Sequence, residues 1–141
     1  MLNVVIDTNV FISAMLVPSG VPAQIIEKWS QGKFWLITSK SIIREIRAVF
    51  FYDRIRKRCP KSDEEINQII DRIQEAGVET PEQLNLKIIS DDPTDDKFII
   101  AAVEGRADYI VSGDQHLLQL GAYNEIKIVS PKEFMEIFED V

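Results

Sequence analysis

Apolar residues in this chain come in short blocks whose spacing switches between continuous runs and a helical period. Leu2 to Ile6 is a continuous, β-branched apolar run, the pattern of a strand buried on both faces. It ends at Asp7-Thr8-Asn9, residues that favour turns and helix caps. Val10 to Leu16 continues as helix until Pro18, Gly20 and Pro22 interrupt it. Pro22 suits the first turn of a second helix running to about Gln31, and Gly32 ends it. Phe34 to Ile37 predicts a second strand, with Thr38 and Ser39 as caps for a helix carrying Ile42, Ile43, Ile46 and Val49. The clearest amphipathic helix is Asp63 to Ala76, where Ile66, Ile69, Ile70 and Ile73 fall at i, i+3, i+4 and i+7 before Gly77 stops it.

The second half continues the alternation. Lys87 to Ile89 predicts a short strand, and Asp92-Pro93 opens a helix through about Glu104, with Phe98, Ala101 and Ala102 facing inward. Tyr109 to Val111 predicts a strand, Gln115 to Leu120 a short helix and Ile126 to Val129 the last strand. Ser130-Pro131-Lys132-Glu133 is a capping box with proline at the first helical position, launching a helix with Phe134, Ile137 and Phe138. Strands alternating with helices imply an α/β fold: a mainly parallel sheet of four to five strands, covered by helices on both faces. Trp29 and Trp35 read as core residues.

Composition adds limits. At 141 residues, with no repeat or Gly/Ser linker, the chain reads as one domain that needs neither metal nor disulfide to fold. Its 45% hydrophobic and 28% charged residues are ordinary for a globular protein. No apolar run approaches the ~20 residues that cross a bilayer, so no membrane partner is expected. The N-terminus lacks a basic n-region and a cleavage site, so no signal peptide is expected. A single cysteine, Cys59, fits a reducing compartment, and a cytoplasmic location is expected. The net charge of −7 argues against a nucleic-acid function, because nucleic-acid binders usually present a basic patch. The positive charge is unevenly spread, however: Arg54, Arg56, Lys57, Arg58 and Lys61 fall within eight positions and would suit RNA phosphates.

The candidate chemistry lies where strands give way to helices, because parallel sheets bind ligands beyond the carboxyl ends of their strands. Asp7 ends the first strand, Asp114 follows Val111 by three residues, and Asp95 and Asp96 lie in the first turn of a helix. Glu45 falls six residues after Ser39, about 9 Å along its helix, and is the acid with the longer side chain. Converging carboxylates repel and raise each other's pKa unless a cation neutralises them. An all-oxygen set suits Mg²⁺ or Mn²⁺ rather than zinc.

In VVIDTNVFIS, SKSIIREI and DDKFIIAAVEGRADYIVSGD the chain resembles the PIN-domain family, and within it the VapC-like toxins of prokaryotic toxin–antitoxin systems. The resemblance spans essentially the whole chain and rests on the ordered set of motifs. It implies a three-layer α/β/α sandwich over residues 1–141, with a helical arm insertion at about 50–76. It implies a divalent-metal-dependent endoribonuclease with Asp7, Glu45, Asp96 and Asp114 as the catalytic acids, of which Asp7, Asp96 and Asp114 would hold the metal. Asp95 and Asp96 stand about 100° apart on a helix, so one faces the site squarely. The family separation of eighteen residues before Asp114 selects Asp96 and leaves Asp95 in a supporting place beside Thr8, Asn9 and Ser112. The resemblance further implies an RNA substrate, an antitoxin partner and a homodimer or higher homo-oligomer.

Competing chemistries lack their residues. One His (His116) and one Cys cannot build a zinc site, and there is no nucleophile elbow or phosphate-cradling glycine motif. An aspartyl phosphatase would need a second Asp where Asn9 stands. The remaining alternative is a catalytically weak RNA- or protein-binding module.

Overall fold

The computed structural model describes residues 1–84 and 96–139. The strand expected at Lys87 to Ile89, the helix start at Asp92-Pro93 and Asp95 lie outside the described residues.

In chain order the elements are β1 (Asn3–Ile6), α1 (Thr8–Leu16), α2 (Val21–Ser30), β2 (Trp35–Thr38), α3 (Lys40–Phe50), α4 (Asp53–Arg56) and α5 (Asp63–Ala76). They continue with β3 (Val78–Glu79), α6 (Asp96–Glu104), β4 (Tyr109–Val111), α7 (Gln115–Leu120), β5 (Ala122–Tyr123), β6 (Ile126–Val129) and α8 (Pro131–Glu139). Among the described residues the sheet is six-stranded in the order β3-β2-β1-β4-β6-β5, and only its β5–β6 pair is antiparallel. The sheet exceeds the expected four to five strands through β3 and β5, two-residue edge strands with no fully buried residue. Pieces so short and so exposed carry no hydrophobic alternation to read.

Why helices cover both faces is visible in β1. Successive strand residues point to opposite faces, yet Val4, Val5 and Ile6 are all at most 1% exposed. Ile110 and Val111 of β4 are likewise fully buried. The result is the three-layer α/β/α arrangement, with α6 packed across β1, β2 and β4. Phe34 and Tyr109 pack edge-on against Phe134, and Phe138 packs edge-on against Phe34 and tilted beside Phe134, with ring centroids 5.5–6.2 Å apart, which seats α8.

Caps form where residue chemistry demands them. Ser39 caps α3, and Ser62 with Glu65 closes a reciprocal capping box on α5. Ser130 and Glu133 do the same for α8. In the stretch from 50 to 76, α5 lays Ile66, Ile70 and Ile73 into the core beside α3. Arg47 of α3 ties the pair together through Asn67 at 2.5 Å and Asp71 at 3.3 Å. Trp29 packs partly buried against the core, but Trp35 does not follow the core expectation: at the first position of β2 it is 51% exposed. Phe34 just before it is buried, so Trp35, on the opposite face of the strand start, points outward. Among the described residues no single helix is long and apolar enough to cross a membrane. The apolar neighbours α1 and α2 are bent 102° from one another and deliver Val10, Phe11, Ile12 and Ile25 to the core.

Candidate active site

After β1 the chain builds outward through β2 and β3, then returns to place β4 on the other side of β1. The winding therefore reverses between β1 and β4, and the crevice beyond their carboxyl ends is the place where such sheets take ligands.

Asp7 is the first residue past β1. Its backbone N–H still donates to Val111 O of β4 at 2.9 Å, so the sheet itself pins it. Extended at φ −61° and ψ 144°, it is the N-cap of α1 and accepts from Asn9 N at 3.3 Å. The residue is only 3% exposed. Ser112, fully buried just past β4, donates its hydroxyl to Asp7 Oδ2 at 2.6 Å and accepts from Asp114 N at 2.9 Å. One hydroxyl thus links the two strand ends. Asp114 caps α7, accepting from His116 N at 2.8 Å and Leu117 N at 3.3 Å.

Glu45 comes to the same place from the middle of α3. Its Oε2 accepts from the hydroxyl of the buried Thr8, and its Oε1 accepts from the Lys97 ammonium at 2.7 Å. Asp96 opens α6 beside Lys97 and is 5% exposed. Asn9, Ser13, Gly113, Asp114, Gln115 and His116 line an open cleft of about 510 Å³. A second hollow of about 480 Å³ lies among α1, α2 and α5, with walls such as Phe11, Met15, Ile26 and Ile69. It contains none of the four acids; its walls are mainly apolar, with Lys61 and Arg72 also on its lining.

The carboxyl of Asp7 sits above the usual carboxylate range. Burial is the main cause, and the charges of Glu45 and Asp114 add to it, while hydrogen bonds from Ser112 and Asn9 oppose the rise. Glu45 and Asp114 are thus each within electrostatic reach of Asp7, although the three come from α3, the loop after β4 and the end of β1.

This donor set fits a hard divalent ion in kind: its ligands are all carboxylate oxygens, and a buried acid beside two like charges calls for a cation. As they stand, no three Asp, Glu, His or Cys side chains among the described residues are grouped to hold a metal. Ser112 engages Asp7, helix amides engage Asp114, and Thr8 with Lys97 engages Glu45.

Of the basic cluster, Arg54, Lys57 and Arg58 are exposed at and just after α4. Arg56 is half-buried and committed to the protein: it bonds Asp63 at 2.6 Å, bonds Lys61 O at 3.0 Å and stacks over Phe51 at 5.9 Å. His116 is exposed, with Nδ1 4.0 Å from Asp114 Oδ1. Lys97 is the site residue that the sequence reading passed over. Its signal was a lone cation directly after the paired acids in Asp95-Asp96-Lys97.

A family model for the PIN domain matches residues 3–116. An uncharacterized protein of Methanocaldococcus jannaschii is 34% identical over 146 aligned positions, which cover 98% of this chain and 92% of that protein. PIN domains are in general nucleases that use divalent metal ions.

Proposed function

This chain belongs to the PIN-domain family, and from that premise we propose that it is a divalent-metal-dependent endoribonuclease. The observation that carries the reading is Asp7, buried at the point where the sheet reverses and pushed up in pKa by burial and by Glu45 and Asp114. Asp7, Asp96 and Asp114 would hold Mg²⁺ or Mn²⁺, with Glu45 in support. Such an ion, when bound, supplies positive charge to the reacting phosphodiester and acidifies water. The chain's own part is to aim the acids. Ser112 holds Asp7 and the turn into Asp114, Thr8 holds one oxygen of Glu45, and Asn9 lines the cleft. Asp95 would belong to the same supporting set. The exposed Arg54, Lys57 and Arg58 would meet RNA phosphates, with Arg56 shaping their turn.

We further propose that the protein acts as the toxin of a toxin–antitoxin pair in the cytoplasm, as a homodimer or larger homo-oligomer. A −7 chain with an acidic site would be blocked by a basic antitoxin segment. Co-expression with the adjacent reading frame should relieve growth arrest; unrelieved arrest would count against the toxin role.

The direct test is RNA cleavage by purified protein in EDTA, Mg²⁺ or Mn²⁺, beside an Asp7→Asn variant prepared identically. Metal-dependent cutting that disappears in the variant supports the reading. Equal cutting by both proteins overturns it. A second reading, a catalytically weak RNA- or protein-binding module, is favoured by one observation: Glu45 is already neutralised by Lys97. Absence of Mg²⁺ or Mn²⁺ uptake in calorimetry would favour that module over the nuclease.

A further inference from the structure

The acidic site contains its own cation. Lys97 stands one residue after Asp96 on α6, and its ammonium reaches Glu45 Oε1 on α3 at 2.7 Å. The pair is not a loose surface contact, since the Lys97 and Glu45 side chains are 20% and 28% exposed. The ammonium also lies over the Phe98 ring, 5.6 Å from its centroid, a cation–π contact that helps hold it in place. Glu45 Oε2 is occupied by the Thr8 hydroxyl, so the two oxygens of this acid face one cation and one neutral donor. Glu45 in turn raises the pKa of Asp7, which places this ion pair within electrostatic reach of the buried acid at the end of β1.

We propose that Lys97 is the resident counter-ion of the site. It holds α3 to α6 in the metal-free protein by neutralising Glu45, and it competes with an incoming divalent cation for that carboxylate. This rests on the metal-dependent reading above. An ammonium and a divalent ion at neighbouring carboxylates repel strongly, because two like charges a few ångströms apart in a partly desolvated site interact far more than in water. The same ammonium, in the absence of metal, offsets repulsion among acids whose convergence would otherwise oppose folding. Lys97 is therefore a positioning residue whose removal should move two measurable quantities in opposite directions.

The test compares wild type, Lys97→Met and Lys97→Arg. Thermal melts in EDTA report the metal-free fold, and calorimetric titration with Mn²⁺ reports affinity without any need for cleavage. Lys97→Met keeps the length of the stem but removes its charge. It should melt about 1–4 °C below wild type in EDTA, the scale of one partly exposed ion pair in a domain of this size. It should also bind Mn²⁺ about tenfold more tightly, because repulsion across the site is gone. Lys97→Arg, which keeps the charge, should stay close to wild type in both. Wild type that binds Mn²⁺ while Lys97→Met binds it equally or more weakly overturns the counter-ion assignment alone. Mn²⁺ uptake by none of the three overturns the metal reading and this proposal with it.

Discussion

Ser112→Ala tests how much of the site is held by one buried hydroxyl. In the wild-type protein that hydroxyl donates to Asp7 Oδ2 at 2.6 Å and accepts from Asp114 N at 2.9 Å, at a fully buried position. Alanine leaves a cavity of a single oxygen, so packing loss is minor. The larger effect is on the two partners. A hydrogen bond to a charged group contributes about 1.5–3 kcal/mol, and stranding a buried polar group costs about 1–3 kcal/mol. Asp114 N is only part-buried and water can reach it, so the loss there is small. The expected destabilisation is about 2–4 kcal/mol, a large share of the roughly 5–15 kcal/mol that holds a typical domain together. Urea unfolding followed by circular dichroism measures it. With a mid-range slope of about 2 kcal/mol per molar, the midpoint should fall by roughly 1–2 M at unchanged slope. A change smaller than about 0.5 kcal/mol would refute the reasoning, because it would mean that Asp7 has another donor ready and that the strand ends are not coupled through Ser112.

Two further outcomes are expected. Asp7→Asn should gain stability relative to wild type as pH rises from about 4 to 7 in EDTA. The folded pKa of Asp7 is raised, so above the unfolded value the unfolded chain releases its proton first and wild-type stability falls with pH, a slope the Asn variant lacks. Paired melting curves showing a pH-independent gap would exclude this. Gly105→Ala should destabilise the fold by about 1–3 kcal/mol, because a Cβ there would lie 2.4 Å from Ile37 Cγ2 and 3.1 Å from Ala101 O. An unaltered melting temperature would show that Ile37 can move aside.

Local rules made much of this protein legible in one dimension. Periodicity located α5 with its boundaries, Asp63–Ala76, because isoleucines at helical spacing and a Ser62 cap are properties of neighbouring residues. The runs at Leu2 to Ile6 and Tyr109–Val111 announced β1 and β4 because burial on both faces keeps them largely apolar, and Ile126–Val129 announced β6 although Lys127 within it is exposed. The motifs around Asp7, Glu45, Asp96 and Asp114, taken in order, carried the resemblance to the family. What spacing does not carry is which atoms meet. The edge strands β3 and β5 exist because longer neighbours offer them hydrogen-bonding groups, and exposed Trp35 is aromatic without being core because a strand's first residue can overhang its cover. Ser112 was expected in a supporting place at the site, but that its hydroxyl bonds Asp7, 105 positions away, only the sheet decides. Lys97 reads as an ordinary helix cation until α3 and α6 pack and Glu45, 52 positions earlier, becomes its partner. Hydrophobic patterning is written residue by residue, so sequence determined the longer elements, their order and the candidate acids. Charge pairing acts through space over a few ångströms, so only the tertiary structure decided which of those acids are neutralised, and by what.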